Sequence, residues 1–373
     1  MPKSLLTIAD YRKAARKILP RMAWDYFRSG ADAQTLLKRN RAGWDAMELR
    51  PRVLVDVSNI DTSTTVLGLN LPFPALIAPM AYQKLAHKDG EIALARAAAA
   101  SDVPYIVSTM ATTGLEEIAK VPGPKWFQLY CHKDRAITQD LVQRAEAAGY
   151  TALVVTVDAP VLGRRIADER NSFELPKGMT RANLDRYSLS SVEGKTSRKA
   201  VLSPRPSTLK AMEGSHLSEL FRTRQDASLN WRDIAWLRSL TDLPILLKGV
   251  LRADDATRAS DAGCAGVIVS NHGGRQCDAA LSTARALPEI AAAVGGKLAV
   301  LVDGAIEWGT DILRALALGA DAVLIGRPML WGLAVGGEQG VRDVLDLYRS
   351  DFVRAMQLCG CANVGTCTEL AGG

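Results

Sequence analysis

The sequence of 373 residues lacks a long hydrophobic run, which argues against an integral membrane protein. No apolar stretch approaches the ~18–20 residues that a helix needs to cross a bilayer. Residues 1–18 are polar and basic and lack the apolar core of a secretion signal, so we expect a protein that is not secreted. Residues 369–373 do not form the Ser-Lys-Leu signal of peroxisomal proteins. These absences predict a cytoplasmic protein.

Cysteine and histidine are scarce, with six and four residues respectively. The cysteines form no regular framework, which is typical of proteins in a reducing compartment. Cys359, Cys361 and Cys367 are close in sequence, but no histidine is near them and their spacing is not that of a zinc site. We therefore expect reduced thiols and no metal, although metal binding at these three residues is the alternative.

An excess of one charge is also missing, since the net charge is only +6 and the isoelectric point is about 9.0. Basic residues are spread along the chain, apart from an excess in residues 177–210. The sequence has no nucleic-acid-binding motif and no basic–aromatic stripe, so we expect no nucleic-acid partner. A weakly positive protein that attracts small anions is the simpler interpretation.

A short pattern recurs three times, in residues 148–158, 262–270 and 318–326. Each copy has the features of a helix end, a glycine cap and a buried apolar strand. This succession is the joint of a repeated βα unit.

Apolar runs predict eight buried strands, and alanine- and leucine-rich helical stretches separate most of them. The predicted strands cover residues 75–79, 105–108, 126–130, 153–158, 245–250, 266–270, 299–303 and 322–326. The helical stretches include residues 91–100, 140–148, 254–262 and 310–318. This alternation predicts an α/β fold of the (β/α)₈ TIM-barrel type, with a doubly wound open sheet as the alternative.

Polar side chains at or just after the strand ends favour the barrel. They are Gln128, Tyr130, Asp158, Lys248, His272, Asp303 and Arg327. Functional side chains from many strands converge on one face in a barrel. The sequence therefore predicts a site at the carboxyl ends of the strands.

We expect a single domain over residues 1–373. Amphipathic patterns at 8–19, 22–28 and 32–40 predict that residues 1–70 form an N-terminal helical cap. Residues 71–360 are expected to form the barrel, and residues 361–373 a tail. Residues 176–229, rich in Ser, Lys, Arg and Pro, follow the fourth strand and predict a long lid loop over the site. A membrane-touching segment is the less favoured interpretation.

The segment 266–276 is the most informative, because a buried β-branched run ends in a polar cluster that contains His272 and Arg275. Histidine changes its charge near neutral pH, and the arginine fork matches a carboxylate. Gly273 and Gly274 let the backbone turn and a flat ligand approach. This combination indicates a substrate that carries an acidic group and a proton to be removed.

With these motifs the chain resembles the FMN-dependent α-hydroxy-acid oxidases and dehydrogenases, which include glycolate oxidases, lactate oxidases and mandelate dehydrogenases. The resemblance covers residues 11–360. Its motifs are Trp24-Asp25-Tyr26, Gln128-Leu129-Tyr130, Thr156-Val157-Asp158, Leu162-Gly163-Arg164-Arg165, Leu247-Lys248-Gly249-Val250, Ser270-Asn271-His272-Gly273-Gly274-Arg275 and Gly326-Arg327-Pro328. Each motif alone is weak, whereas the ordered set at strand ends is specific.

The resemblance implies roles for residues around the substrate. His272 would be the catalytic base, Asp158 would stabilise the protonated imidazole, and Tyr130 would hydrogen-bond the substrate hydroxyl. Arg165 and Arg275 would hold the substrate carboxylate with Tyr26, while Arg164 is expected at the surface. The alternatives are a structural histidine, a helix-capping aspartate and a core tyrosine.

The resemblance also implies FMN contacts. Lys248 would stabilise negative charge on the reduced ring and would be buried without a charge partner; the alternative is a solvated surface lysine. Backbone groups of Pro79, Met80 and Ala81 would face the ring. The other implied contacts are Ser108, Gln128, Thr156 and Ser270 at its polar edge, and Asp303, Gly304, Gly326 and Arg327 toward the phosphate.

The phosphate region departs from the family pattern. The family usually has Asp-Gly-Gly-Val/Ile-Arg-Arg-Gly-Thr-Asp after the seventh strand, whereas residues 303–311 are Asp-Gly-Ala-Ile-Glu-Trp-Gly-Thr-Asp. Glu307 therefore stands where an FMN-contacting arginine is expected, and a carboxylate repels a phosphate dianion. We expect that FMN still binds, but more weakly. An inactive flavin-binding barrel is the non-enzyme alternative, and another class of FMN barrel is a third.

Two positions favour L-lactate as the substrate. Plant glycolate oxidases tend to have Thr and Trp where this chain has Met80 and Met110, and flexible methionines leave room for a methyl group. Glycolate and longer 2-hydroxy acids remain possible substrates, because one methyl discriminates by only about 1–3 kcal/mol. Ala81 resembles the oxidases and favours O₂ as oxidant, with a quinone-linked dehydrogenase as the alternative. By analogy with the family we expect a homotetramer.

Overall fold

Eight parallel strands close into a barrel in the computed structural model, which describes residues 5–187 and 221–371. Each strand pairs with the next along the chain, and the last pairs with the first. The strands are β3 (Ala75–Ile77), β4 (Tyr105–Ser108), β5 (Lys125–Leu129), β6 (Leu153–Thr156), β7 (Ile245–Val250), β8 (Gly266–Val269), β9 (Ala299–Val302) and β10 (Ala322–Ile325). The predicted (β/α)₈ barrel and its eight strands are confirmed.

Both faces of the barrel strands are buried, which explains their nearly continuous apolar sequences. Alternate residues belong to two separate clusters. Leu76, Ile106 and Trp126 belong to the cluster inside the barrel. Their neighbours Ile77 and Val107 belong to the cluster that packs under the helices. The period of two therefore gives each strand an inner and an outer apolar face.

Helices follow the strands and cover the outside of the barrel. They are α4 (Gly90–Ala100), α5 (Leu115–Ala119), α6 (Arg135–Ala147), α7 (Ile166–Arg170), α8 (Trp231–Arg238), α9 (Ala253–Asp261), α10 (Thr283–Val294), α11 (Gly309–Ala317) and α12 (Arg327–Cys359). The long helix α12 is interrupted where Gly336 and Gly337 leave the helical conformation. Short 3₁₀ helices lie at Gln83–Leu85 and Val364–Leu370.

The N-terminal segment contains the three expected helices, α1 (Ile8–Ile18), α2 (Arg21–Arg28) and α3 (Thr35–Asp45). The segment also contains an antiparallel hairpin, Thr64–Val66 (β1) and Leu69–Leu71 (β2), which the sequence patterns did not predict. Val66 and Leu71 join the cluster inside the barrel, so the hairpin contributes to the barrel core. Its short strands fall below the length at which a period of two is recognisable.

Contacts between the cap and the barrel fix the position of the cap. The α1 side chain of Tyr11 donates a hydrogen bond to Asp343 of α12 at 3.1 Å. The indole of Trp44, in α3, donates to the backbone oxygen of Gly304 at 2.7 Å. Two backbone amides at the start of α3 donate to Asp278. The cap thus lies against the loops at the carboxyl ends of β8 and β9.

The expected lid, residues 176–229, falls largely outside the described residues, since 188–220 are not among them. The parts on either side, 176–187 and 221–229, lie after the fourth barrel strand as expected. In residues 5–187 and 221–371, no helix is both long enough and apolar enough to cross a membrane.

Candidate active site

A cavity of about 680 Å³ opens at the carboxyl ends of the barrel strands, beside the N-terminal cap. Most of the residues singled out from the sequence line it. They are Tyr26, Pro79, Met80, Ala81, Ser108, Met110, Gln128, Tyr130, Thr156, Arg165, Lys248, His272, Arg275, Asp303, Gly304, Gly326 and Arg327. Asp158 and Ser270 do not line the cavity. Asp158 is hydrogen-bonded to His272 and Ser270 to Lys248, and these two partners line it.

The loop after β8 presents His272 to the cavity in a strained conformation. His272 has a φ of 58°, and Gly273 and Gly274 follow with φ of 60° and 74°. A left-handed non-glycine residue costs about 1–3 kcal/mol, and such residues cluster at functional sites. The imidazole Nδ1 lies 2.9 Å from Asp158 Oδ1, and Nε2 lies 3.4 Å from the hydroxyl of Tyr130. With Nδ1 donating to the carboxylate, Nε2 faces the cavity as the acceptor.

Two opposing effects set the protonation of the imidazole. Burial lowers the pKa of His272 below its usual value, and the attraction of Asp158 opposes this only in part. Burial alone would raise the pKa of Asp158, but His272 and Lys248 outweigh it and keep the pKa below the usual range. At neutral pH the pair is therefore a neutral imidazole beside a carboxylate, which is the state that accepts a proton.

Asp158 is held behind the imidazole by the close approach of β7. A methyl group at Gly249 would lie 2.4 Å from the Asp158 Cβ, and Gly249 has a φ of 111°. The side-chain amide of Gln276 donates to the backbone oxygen of Asp158 at 2.9 Å. These contacts fix the carboxylate that in turn orients the imidazole.

Arg165 and Arg275 both lie on the cavity wall. Arg165 is 7% exposed, and its Nε is buried without a hydrogen-bond partner among the described residues. Arg275 donates from Nη1 to the backbone oxygens of Tyr26 and Ser29, and its guanidinium lies 5.0 Å from the centre of the Tyr26 ring. Arg164 points outward and pairs with Glu169. The two inner guanidinium groups can therefore bind a carboxylate.

Two residues near this arginine pair, Asp168 and Phe173, were not identified from the sequence. Asp168 is 2% exposed, and neither carboxylate oxygen has a hydrogen-bond partner among the described residues. Burial raises the pKa of Asp168, although Arg275 and Arg165 act against it. Phe173 stacks on Tyr26 with ring centres 4.4 Å apart. Asp168 could have been identified because it lies three residues after Arg165, in the first turn of α7.

Lys248 is buried, but the expectation that it lacks a charge partner is wrong. Its Nζ lies 2.9 Å from Asp303 Oδ2 and donates to Ser270 Oγ at 2.8 Å. Burial would lower the pKa of Lys248, but Asp303 and Asp158 outweigh it and raise the pKa. All parallel strands of the barrel end on the same side. Asp303, which follows β9, therefore comes within reach of the Lys248 ammonium on β7. Lys248 is therefore a permanent cation at the cavity floor.

A chain of polar side chains joins three neighbouring strands along the cavity. Ser108 Oγ donates to Gln128 Oε1 at 3.2 Å, and Gln128 Nε2 donates to Thr156 Oγ1 at 3.0 Å. All three residues are at most 4% exposed. Such a satisfied network holds its donors and acceptors in fixed directions toward a ligand.

The loops after β9 and β10 form the other end of the cavity. Gly304 has a φ of 97°, and Arg327 donates to the backbone oxygens of Phe27, Gly273 and Ser29. Glu307 also lines this end, and its carboxylate lies 4.0 Å from Arg12 of α1. Arg12 and Lys38 of the cap line the same end, and neither was identified as a site residue from the sequence.

The residues that are present fit FMN. A flavin requires hydrogen-bonding groups along its edge, a cation beside the ring and positive charge around its phosphate. The Ser108–Gln128–Thr156 chain and Lys248 meet the first two requirements, and Asp303 Oδ1 is buried without a partner in the described part of the chain. Arg327 at the far end of the cavity has no hydrogen-bonded acidic partner in that part.

Phe221 lines the cavity beside Tyr130 and was not identified from the sequence. It is 8% exposed and contacts the Tyr130 ring edge-on, with centres 5.5 Å apart. Met110, which is 5% exposed, and Met80 line the cavity with it. Phe221 lies at the end of a long polar stretch, and the sequence has no periodicity there that predicts a buried position.

Comparison with known proteins gives a consistent result. The family described as FMN-dependent dehydrogenase matches residues 15–371. L-lactate oxidase of Nostoc sp. is 49% identical over 366 residues, which cover 97% of this chain and 96% of that protein. Glycolate oxidase 3 of Arabidopsis thaliana is 45% identical over 361 residues, covering 96% and 94%.

Solved structures resemble the chain over nearly its whole length. A mandelate oxidase structure with (S)-4-hydroxymandelic acid superposes with a TM-score of 0.88. The identity is 41%, and the match covers 98% of both chains.

Proposed function

Because the chain belongs to the family of FMN-dependent dehydrogenases, we propose that it oxidises a small L-2-hydroxy acid, with L-lactate favoured and glycolate as a second substrate. The family assignment confirms the resemblance found in the sequence motifs and establishes FMN as the cofactor. The products would be the 2-oxo acid and, with O₂ as oxidant, hydrogen peroxide. One observation supports this most strongly: His272, Arg165 and Arg275 face one cavity.

The arginine pair would bind the substrate carboxylate. Arg165 Nε lacks a partner among the described residues, and Arg275 is anchored to backbone oxygens that hold its fork in place. Charge-assisted bonds from two guanidinium groups fix the orientation of a small anion. The substrate's α-carbon would then lie between the imidazole and the flavin.

His272 would remove a proton from the bound acid through Nε2. Its neutral state follows from the lowered pKa, and Asp158 at 2.9 Å stabilises the imidazolium that forms. Bound FMN supplies the acceptor for the two electrons that leave the substrate. The Tyr130 hydroxyl, 3.4 Å from Nε2, would donate a hydrogen bond to the oxygen that becomes the carbonyl.

The apolar walls support L-lactate over larger acids. Phe221 packs against Tyr130 and narrows the substrate end, and Met80 and Met110 offer adaptable contacts to one methyl group. The mandelate oxidase structure, by contrast, contains (S)-4-hydroxymandelic acid, an aromatic 2-hydroxy acid. A comparison of L-lactate, glycolate and (S)-mandelate by flavin-reduction rate tests the order. Fastest reduction by mandelate would contradict it.

Anaerobic mixing with L-lactate tests the reaction itself. We expect the flavin absorbance to bleach and to return when O₂ is admitted, with one hydrogen peroxide formed per flavin. Bleaching without rapid return would identify a dehydrogenase that uses a quinone or another acceptor, and no bleaching by any 2-hydroxy acid would refute the proposal. His272→Ala should bleach about 10²–10⁴-fold more slowly. His87→Ala, outside the cavity, is the matched control.

We also propose a cytoplasmic homotetramer. All six cysteines are free, as is usual in a reducing compartment. Val53 and Leu54 are 81% and 103% exposed, and exposed apolar groups of this kind are typical of surfaces that bind another subunit. Light scattering on the purified protein measures its mass directly. A monomer mass would contradict the assembly, and periplasmic or membrane recovery on fractionation would contradict the compartment.

A further inference from the structure

The far end of the cavity has an unusual distribution of charge. In barrels of this type, the loops after the seventh and eighth strands commonly bind phosphate. Here these loops contribute one cation, Arg327, and two carboxylates, Asp303 and Glu307, to the lining, and Asp303 is paired with Lys248. The barrel loops alone therefore provide little net positive charge for a phosphate dianion.

The N-terminal cap contributes the remaining cations. Ile8 and Arg12 lie one helical turn apart on α1, and both line this end of the cavity. Lys38 and Arg41 of α3 line it from a second direction. The direction of α1 is fixed by a capping box between Thr7 and Asp10, so the position of Arg12 follows from the helix start.

Arg41 is already neutralised by acidic neighbours. Its two terminal nitrogens lie 2.6 and 2.8 Å from the two oxygens of buried Asp311. It also donates to Asp45 at 3.0 Å. A guanidinium with both edges occupied by carboxylates has little left for another anion.

Arg12 and Lys38 are not neutralised by close carboxylates in this way. Arg12 makes one ion pair within the described residues, with Glu307 at 4.0 Å, and the two side chains are 50% and 40% exposed. An exposed pair at that distance contributes about 0–1 kcal/mol. Lys38 has no ion pair in the described part of the chain. A phosphate dianion would attract both cations more strongly than Glu307 does.

We propose that Arg12 and Lys38 of the N-terminal cap bind the FMN phosphate in place of the arginine expected at position 307. This inference rests on FMN as the cofactor in the proposed function. Glu307 then acts as an orienting group for Arg12 and does not face the phosphate. FMN affinity becomes coupled to the docking of α1 and α3 on the barrel.

The affinity difference between FMN and riboflavin isolates the phosphate, since the two ligands share the ring and the ribityl chain. Flavin is removed from the full-length protein, and each ligand is titrated by quenching of flavin fluorescence. Arg12→Gln and Lys38→Gln should each weaken FMN binding about tenfold, as expected for one charged hydrogen bond. Riboflavin affinity should stay within about twofold of the parent, because no phosphate contact is involved.

Lys17→Gln is the matched control, because Lys17 is an exposed cation on α1 that does not line the cavity. It should leave FMN affinity unchanged. Adding Glu307→Arg to Arg12→Gln should restore FMN affinity, since an arginine then stands on the barrel loop. Release of FMN from the diluted holoenzymes, followed by fluorescence, should rank the variants in the same order.

Two results would overturn the inference. One is parent-like FMN affinity in the variant that combines Arg12→Gln and Lys38→Gln. The other is a parallel loss of riboflavin and FMN affinity, which would locate the effect in the flavin ring site or in folding. Failure of L-lactate to bleach the holoenzyme would instead refute the proposed reaction, and it would leave the phosphate assignment standing.

Discussion

Asp158→Asn tests the pairing on which the proposed proton transfer depends. The substitution keeps the shape of the side chain and removes its negative charge. Asp158 lies behind His272 and does not line the cavity, so it acts as a positioning residue that affects substrate only through the imidazole. A neutral amide can also favour the wrong imidazole tautomer, which would leave Nε2 protonated.

The size of the effect follows from the geometry. The carboxylate oxygen lies 2.9 Å from Nδ1, and the Asp158 side chain is 12% exposed. Unit charges about 4 Å apart interact by about 4 kcal/mol at an effective dielectric constant of about 20. Lys248 also attracts this carboxylate, so part of that energy is shared. We expect the rate of flavin reduction to fall by about 10²–10³-fold, since each 1.36 kcal/mol corresponds to a factor of ten.

The pH profile separates this role from a structural one. Burial lowers the pKa of His272, and Asp158 partly opposes this effect. Removing the charge lowers the pKa further. The base acts in its neutral form, so the acid limb of the reduction rate should move to lower pH in Asp158→Asn. Stopped-flow measurement of flavin reduction by L-lactate between pH 4 and 9 gives both the reduction rate and the position of the acid limb.

Asp254→Asn is the control, because Asp254 is an exposed carboxylate paired with Arg252 on α9. Its reduction rate and pH profile should match the parent. Less than a tenfold loss in Asp158→Asn, or an acid limb that moves to higher pH, would refute the assigned role of the pair.

Three further substitutions test other parts of the molecule. Arg165→Lys should raise the KM for L-lactate about 10–100-fold in O₂-uptake assays, because an ammonium cannot form the forked contact; an unchanged KM would contradict the carboxylate site. Gly249→Ala places a methyl 2.4 Å from the Asp158 Cβ, so its loss of flavin-reduction rate should not add to that of Asp158→Asn; full additivity would contradict the coupling. Asp311→Asn should lower the free energy of unfolding by about 3 kcal/mol, measured with denaturant, because two arginines lose a buried partner; an unchanged midpoint would contradict this.

The barrel could be predicted from the sequence because its signals are local and repeated. The runs 266–269 and 322–325 are buried on both faces, so each is apolar throughout, and a polar side chain, Ser270 or Arg327, follows within two residues. The hairpin Thr64–Val66 and Leu69–Leu71 gave no such signal. Its strands have three residues each, and their pairing is stabilised by packing against the barrel interior.

The catalytic end was predictable in composition but not in every contact. Motif residues at the strand ends identified His272 and the arginines, because parallel strands place such residues on one face. The Lys248–Asp303 pair was missed, since β7 and β9 are separated in the sheet by β8 and their ends meet only through barrel curvature. The side chains of Arg12 and Lys38 reach the cavity through tertiary packing, and no sequence spacing encodes that approach.

The arrangement of charges explains why this cavity suits two anions at once. Burial and the repulsion of Arg165 together lower the pKa of Arg275 to about 9 and that of Arg327 to about 10. These shifts mean that the folded chain holds desolvated cations at an energetic cost. A substrate carboxylate near Arg165 and Arg275, and a phosphate near Arg327, would each offset part of that cost. Binding energy would therefore come from charges the fold has already oriented, and not from rearrangement when the ligand arrives.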